Sequence, residues 1–380
     1  MAINIRRFCR LNISLANNIL LKPHFINVGR RSLYSERDIG VTAYENTRFV
    51  FRNQFMTIED TFRSKMKELC EQENGVIYTE DLKAMLHLTQ ETDEDMDLLI
   101  KMLEKYVQIK HEQKLGTYVF GPVVMRMFYY LNQPRRALAA FENEIIGDSF
   151  NYRSSFRTLL CLLYKHNMYK EMRQVFDKVF NTKGLEFIGR NSVLLYAACF
   201  RENTPEALEY GLNIWKKEYQ SMKPSVRSSS MMAYLAIRNN ASEAALEILS
   251  VVEKEQSISV RCLKILAYLN LQRYLQIIPL LRVAIERTDA TSVYRPTYFA
   301  DVIYELQDRL NTESIPEKED LLKLIQLLKA QDQLDTQHTL EEFLLKPIVI
   351  QHKTGMLQRD SRGRNRLQEH RDRIGLKNYL

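Results

Sequence analysis

The chain has 380 residues, of which 45% are hydrophobic and 27% are charged, a composition typical of folded globular proteins and not of disordered chains. It contains only 12 glycines and 9 prolines, about half of the average usage of roughly 7% and 5%, which disfavours turn-rich β architectures and favours long helices. No stretch approaches the ~18 uninterrupted apolar residues that would predict a membrane-spanning helix, and the net charge of +7 raises the question of a polyanionic ligand.

Residues 1–35 have the composition of a mitochondrial transit peptide. Their apolar positions are interrupted by serine, asparagine and basic residues, and the first acid is Glu36. An amphipathic, arginine-rich leader without acids is removed on import and takes no part in the fold. The run 31–35 predicts cleavage near residues 33 to 35. The alternative is a surface helix that stays attached. The six basic residues of the leader are Arg6, Arg7, Arg10, Lys22, Arg30 and Arg31.

Without the leader the charges nearly cancel, because 48 Lys and Arg then face 47 Asp and Glu. A polyanion must therefore be bound by local patches, since the field of the whole molecule would not steer it. Residues 36–115 are predicted to form an N-terminal helical region. In it, residues 82–88 and 96–106 read as a helical hairpin.

Residues 116–290 contain a repeat of about 35 residues. The pairs Ala137-Leu138 and Ala207-Leu208 begin 70 residues apart, with Met172 midway between them. In the middle unit two runs have apolar residues at i, i+3, i+4 and i+7, the period of an amphipathic helix. Each unit is thus a helix, a short turn and a second helix. Because one hairpin cannot bury both apolar faces, such a period predicts an all-α, α-solenoid fold of stacked hairpins.

The repeat weakens toward the C-terminus. Residues 291–350 are predicted to form further helices, at 298–310, 317–331 and 339–345, without a clear period. The last segment, residues 351–380, carries eight basic and three acidic residues. We interpret it as a basic flexible tail, which could serve as a phosphate-binding arm or as a partner-docking extension.

The hairpins resemble the pentatricopeptide repeat family. The resemblance rests on the 35-residue period, on Ala137-Leu138-x-x-Phe141 in a second helix, on the run 116–122 that opens the first clear repeat, and on the mitochondrial-type leader. It covers roughly residues 45–290. It implies a mitochondrial matrix protein that binds single-stranded mitochondrial RNA, acts in RNA maturation or processing, and so supports respiratory-chain function.

In that family one base is read mainly by the fifth and last residues of a repeat. With Ala137, Met172 and Ala207 taken as position 20, the fifth residues are Pro122, Arg157 and Ser192. Only Ser192 is a usual reading residue, so the resemblance implies an altered code.

The same register places one residue set on a shared face of the first helices, at i, i+4 and i+8. Cations for phosphates beside aromatic planes for bases form the usual single-strand platform. The alternative is that Tyr196 belongs to the solenoid core and that the cations are merely solvated. The candidate RNA-binding residues are Arg126, Tyr130, Arg157, Lys165, Ser192 and Tyr196.

No motif for catalysis, metal binding or a cofactor is found. The chain lacks a phosphate-binding GxxxxGK[ST] loop, HExxH and GxSxG, and its five cysteines show neither disulfide nor zinc spacing. We therefore predict no enzyme activity, no metal and no cofactor. Two functions stay open: RNA binding, and a protein-binding scaffold whose partners would be RNA-processing or ribosomal proteins.

Overall fold

The computed structural model describes residues 32–112, 118–252, 257–286, 298–313 and 315–348. Most of the predicted transit peptide, residues 1–31, and the whole basic tail, residues 351–380, lie outside the described residues. Within the described part, no helix is long and apolar enough to cross a membrane.

The fold is an α-solenoid of stacked helical hairpins. Only two short strands interrupt the described helices; they pair in parallel, Tyr298 with Leu334 and Phe299 with Asp335. In chain order the elements are α1 Val41–Phe55, α2 Glu59–Glu71, α3 Thr79–Leu88, α4 Asp93–Glu112, α5 Gly121–Tyr130, α6 Pro134–Glu142, α7 Arg153–Lys165, α8 Tyr169–Ile188, α9 Ser192–Glu202, α10 Pro205–Ser221, α11 Val226–Arg238, α12 Ser242–Ser250, α13 Ile258–Asn270, α14 Ile277–Glu286, β1 Tyr298–Phe299, α15 Ala300–Thr312, α16 Lys318–Ala330, β2 Leu334–Asp335 and α17 Leu340–Leu345.

Helices α5 to α14 form five successive hairpins. The first helices α5, α7, α9, α11 and α13 pack side by side in chain order, and each second helix packs on its own first helix. The apolar faces read from the sequence are the ones that pack: Phe156 and Leu159 of α7 and Met172 and Phe176 of α8 are all fully buried. Neighbouring hairpins thus bury the faces that a single hairpin would leave exposed.

Each hairpin turns at a residue in the left-handed region of the backbone. The first four are asparagines, with φ of 57°, 57°, 49° and 58°, and the fifth is Gln272. Asparagine tolerates this conformation better than other non-glycine residues. After most turns the next backbone N–H bonds back into the helix, as from Met168 to the carbonyl of Leu163 at 3.0 Å, which ends the helix. The turn asparagines are Asn132, Asn167, Asn203 and Asn240.

Helices α1 to α4 precede the repeat and include the hairpin predicted at 82–88 and 96–106. Helix α1 packs on α3 and α5, and α2 packs on α4. The buried side chain of Arg48 donates to the carbonyls of His87 and Thr89 at 2.9 and 2.6 Å. These carbonyls end α3 and have no partner within it, so Arg48 caps the helix from a neighbouring element.

The two ends of the described chain meet across the first helices. Leu33 and Tyr34 are buried, and Ile348 N donates to Leu33 O at 2.7 Å, with Tyr34 and Ile348 paired in parallel. Nearby, α17 packs on α11 and α13. Segments from both ends of the chain therefore lie on the same set of helices.

Candidate RNA-binding face

The outer surface of the first helices carries a row of cations next to the turns, which we call the turn row. Its members are Lys165, Arg201 and Arg238, and each lies two residues before a turn asparagine. The equivalent residue of the first hairpin is Tyr130. A cation at the last turn of a helix also complements the negative end of the helix dipole, so the position is favourable in the fold as well.

Each cation of the turn row lies against an aromatic ring of the preceding hairpin. Lys165 Nζ is 5.0 Å from the centroid of the Tyr129 ring, and Arg238 Cζ is 4.6 Å from that of Phe200. Burial raises the pKa of Tyr164, and Arg201 acts against it by charge and by a hydrogen bond. The result is a ladder in which cation and ring alternate from hairpin to hairpin. The two cation–π contacts in it, at Lys165 and Arg238, are each worth about 0.5–2 kcal/mol.

A second group of cations, the start row, lies near the beginnings of the first helices. It consists of Arg157, Arg190 and Arg227, and it surrounds Tyr34. Arg157 Cζ is 5.2 Å from the Tyr34 ring centroid, and its Nε donates to Asn191 Oδ1 at 2.8 Å. Burial raises the pKa of the Tyr34 hydroxyl, whereas all three guanidinium groups lower it. They are therefore close enough for their fields to overlap.

The two rows belong to one surface. Arg227 of the start row and Arg201 of the turn row both act on Tyr164, so both lie near that ring. Burial lowers the pKa of Arg227 itself, because a guanidinium taken out of water is costly without an anion. A carboxylate also acts on Tyr164, that of Glu341 in α17.

The two predicted residues on α5 lie beneath the N-terminal part of the chain. Arg126 is half-buried and its Nε donates to Ile39 O at 3.0 Å. Tyr130 keeps 38% of its surface exposed, with its ring 5.7 Å from that of Tyr44 and 5.5 Å from Arg48 Cζ. Arg157 and Lys165 lie further along the same face. The structure therefore brings these four predicted residues to one side of the first helices.

The other two predicted residues are placed differently, and the expectation that they face a ligand is wrong. Ser192 is 3% exposed and Tyr196 is fully buried. Both donate hydrogen bonds to the carboxylate of Glu218 in α10, at 2.9 and 2.5 Å. They point between the first and second helices of their hairpin. The turn asparagines that bound this repeat are 36 residues apart, so an alignment with a constant period of 35 residues assigns Ser192 and Tyr196 to the wrong side of the helix.

Alignment of the repeats on their turn residues identifies Arg201 and Arg238, which alignment with a constant 35-residue period does not. Consecutive turn asparagines are separated by 35, 36 and 37 residues. Aligned on them, the sequences Lys165-His166-Asn167, Arg201-Glu202-Asn203 and Arg238-Asn239-Asn240 show a shared basic-x-Asn pattern. The sequence therefore contains this pattern, but it becomes visible only when the repeats are aligned on their turn asparagines.

The remaining chemistry of the described residues is modest. Three cysteines, Cys161, Cys199 and Cys262, are free and buried, and burial raises the pKa of each thiol to about 12, so they behave as small apolar side chains. Among the described residues no group of three or more His, Cys, Asp or Glu side chains could hold a metal ion.

Comparison with known proteins finds relatives that share one name. The chain is 25% identical over 257 residues to the human protein named pentatricopeptide repeat-containing protein 2, mitochondrial, covering 67% of this chain and 65% of that protein. The mouse protein of the same name is 26% identical over 257 residues, 67% of this chain and 66% of that protein. The Pongo abelii protein is 23% identical over 282 residues, 74% of this chain and 73% of that protein.

These relatives confirm the resemblance to pentatricopeptide repeat proteins, and their names support a mitochondrial location. The chain spans just under two thirds of the length of the human relative, 65%. No family model matches the chain, and no solved structure matches it.

Proposed function

We propose that this protein is a non-catalytic RNA-binding protein of the mitochondrial matrix that acts in mitochondrial RNA maturation, and so supports respiratory-chain function. The observation that carries the proposal is the ladder of cations and rings on the first helices. The names of the relatives add to it, since they combine the repeat with the compartment.

The ladder has the cations that a single strand requires. Guanidinium and ammonium groups neutralise phosphates, and the buried rings Tyr129, Tyr164 and Phe200 hold these cations in place. Tyr130, which is 38% exposed, offers this face a ring for an unpaired base, a contact worth about 1–3 kcal/mol. One cation recurs per hairpin, at Lys165, Arg201 and Arg238, so a strand that follows the first helices would meet a positive charge at each hairpin. These groups bind without making or breaking bonds, which is why the proposal is binding and not catalysis.

A charge-removal triple tests the proposal. Arg157→Gln, Lys165→Gln and Arg201→Gln keep the aliphatic stems and remove three positive charges. We expect affinity for an oligo(U) RNA to fall more than about tenfold, and the slope of log K against log salt to decrease by about 2, because each lost phosphate contact removes about 0.7 for a single strand.

The matched control removes equal charge from the second helices. Lys170, Lys178 and Lys216 are exposed on α8 and α10, and their triple glutamine variant should bind as the unchanged protein does. Equal losses in the two triples would mean that binding follows net charge and not this face. In isolated mitochondria, crosslinking should recover defined transcripts; recovery no higher than background would remove the proposal.

A protein-binding scaffold is the second candidate. It is favoured by one observation, namely that peptide segments already lie on the first helices, as α17 does on α11 and α13. Under this alternative, association with mitochondrial ribosomal subunits or processing proteins would survive ribonuclease treatment, and the charge-removal triple would leave it unchanged.

A further inference from the structure

Two segments of the chain lie across the candidate face, and together we call them the clasp. The N-terminal arm is residues 32–40, and the C-terminal arm is residues 339–348. The arms meet through the backbone hydrogen bond from Ile348 N to Leu33 O, 2.7 Å long. The clasp is therefore assembled from residues more than 300 positions apart in the sequence.

The C-terminal arm occupies the cations of both rows. Arg227 Nε donates to Leu344 O at 2.7 Å, and its terminal nitrogen donates to the carbonyl of Lys346. Arg238 forms an ion pair with the Glu341 carboxylate at 2.5 Å. Carbonyl and carboxylate oxygens therefore already bind these two guanidinium groups.

The N-terminal arm covers the neighbouring cations in the same way. Arg126 Nε donates to Ile39 O, and Arg157 packs over the Tyr34 ring. The close approach depends on Gly40, which has a φ of +80° and where a Cβ atom would come within 2.8 Å of Arg126 Nε. The backbone of the N-terminal arm at Gly40 thus lies directly against the guanidinium group of Arg126.

The arms are held mainly by a few apolar side chains. Leu33, Leu340 and Leu344 are 0%, 0% and 1% exposed, and Thr339 and Glu342 form a capping box that starts the six-residue α17. A helix this short has little stability apart from its packing. Short elements that end a fold are commonly among those that open locally at the lowest cost.

We propose that the clasp is an intramolecular competitor for RNA, and that Arg227 and Arg238 are phosphate-binding residues that it masks. The inference rests on the proposed function of the face. Carbonyl oxygens and the Glu341 carboxylate satisfy the guanidinium groups in the closed state, and phosphates replace them when the C-terminal arm is released. The apparent affinity for RNA is then reduced by the fraction of molecules in which the clasp is closed.

A reversible lock tests the competition in the full-length protein. Tyr34→Cys with Ile348→Cys introduces a thiol pair at the two residues that face each other across the arms, and oxidation joins them. Binding of oligo(U) RNA is measured for the same double variant before and after reduction, so the effect of the substitutions themselves cancels. We expect the oxidised form to bind at least about tenfold more weakly than the reduced form. The two single-cysteine variants control for oxidation of native thiols.

A charge variant opens the clasp from the other side. Glu341→Gln keeps the shape of the side chain but removes the anion that holds Arg238, and we expect oligo(U) to bind about threefold or more tightly. Glu319→Gln, an exposed acid in α16, removes the same charge away from the face and should change affinity little.

The outcomes separate the two proposals. If the locked and reduced forms bind RNA equally and Glu341→Gln has no effect beyond that of Glu319→Gln, the clasp does not compete and the RNA-binding face stands without it. If no form binds oligo(U) above background, the proposed function and the inference fail together.

Discussion

Helices α7 and α9 occupy equivalent places in consecutive hairpins, yet they differ in which of their residues are buried and which are exposed. Helix α7 brings Arg157 and Lys165 to the outer face, whereas every residue from Asn191 to Phe200 in and before α9 is buried. Helix α9 lies between α7 and α11 and packs on α8 and α10. Its basic residues lie only at its two ends, at Arg190 just before the helix and at Arg201. A central hairpin therefore contributes to a binding surface through the ends of its first helix.

The largest change that we expect separates a buried residue of α9, Tyr196, from a cation of α7, Lys165. Tyr196→Ala should lower the free energy of unfolding by about 3–5 kcal/mol, because a fully buried aromatic side chain leaves a cavity, and it should leave the salt slope of RNA binding unchanged in the folded fraction. Urea unfolding followed by the fluorescence of Trp215, the only tryptophan, measures this change.

Lys165→Ala should show the opposite pattern. Its stability should fall by no more than about 2 kcal/mol, the upper range of one cation–π pair and less than the loss in Tyr196→Ala, while RNA affinity decreases. Loss of RNA binding by folded Tyr196→Ala, with Lys165→Ala unaffected, would reverse the assignment of the two helices.

The turn at Asn203 offers a second, smaller test. Asn203 has a φ of 49°, where a β-branched side chain is strained, so Asn203→Val should destabilise the protein by about 1–2 kcal/mol. Asn203→Gly, which has no Cβ atom, should unfold at nearly the same urea concentration as the unchanged protein. Equal destabilisation by both would show that the side chain of Asn203 matters and not its backbone conformation.

The smallest expected effect depends on pH and concerns the partner of Tyr196. Burial raises the pKa of Glu218, and hydrogen bonds from Tyr196 and Ser192 offset this only in part. The folded state therefore binds a proton more tightly than the unfolded state, so the contribution of Glu218 to stability increases as pH falls through the folded pKa toward its ordinary value.

The matching variant is Glu218→Gln, which cannot ionise. Relative to it, the unchanged protein should gain stability as the solution is acidified from neutral pH, because only its carboxyl takes up a proton. Urea midpoints of both proteins at a series of pH values provide the measurement. A constant difference across that series would contradict a raised pKa for this carboxyl.

Much of the architecture could be predicted from the sequence because hydrophobic period reports burial directly. The helices of the middle hairpin, and those at 82–88 and 96–106, follow from residues such as Phe156 and Leu159 that recur every three to four positions. The position of Tyr196 could not be predicted in this way. Its face depends on the exact number of residues between turns, and one added residue rotates a helix by about 100°.

The candidate face was only partly predictable for a related reason. Arg157 and Lys165 were found because the first two clear repeats keep the 35-residue period, but Arg201 and Arg238 follow longer repeats. No local pattern indicated that α17 would lie against α11, or that Ile348 would pair with Tyr34. Such contacts between distant segments are set by which surfaces remain uncovered after the hairpins have stacked.

The burial of Leu33 and Tyr34 also bears on how the protein matures. A processing peptidase that cut near residues 33 to 35, as the leader sequence alone suggests, would remove the side chain that fills the space beneath Arg157 and the carbonyl that receives Ile348. We expect the mature polypeptide to begin at or before Ser32, and mass spectrometry of its first tryptic peptide, isolated from mitochondria, would identify that terminus. The position of the cleaved peptide bond would then decide whether the mature protein keeps the residues that join its two ends.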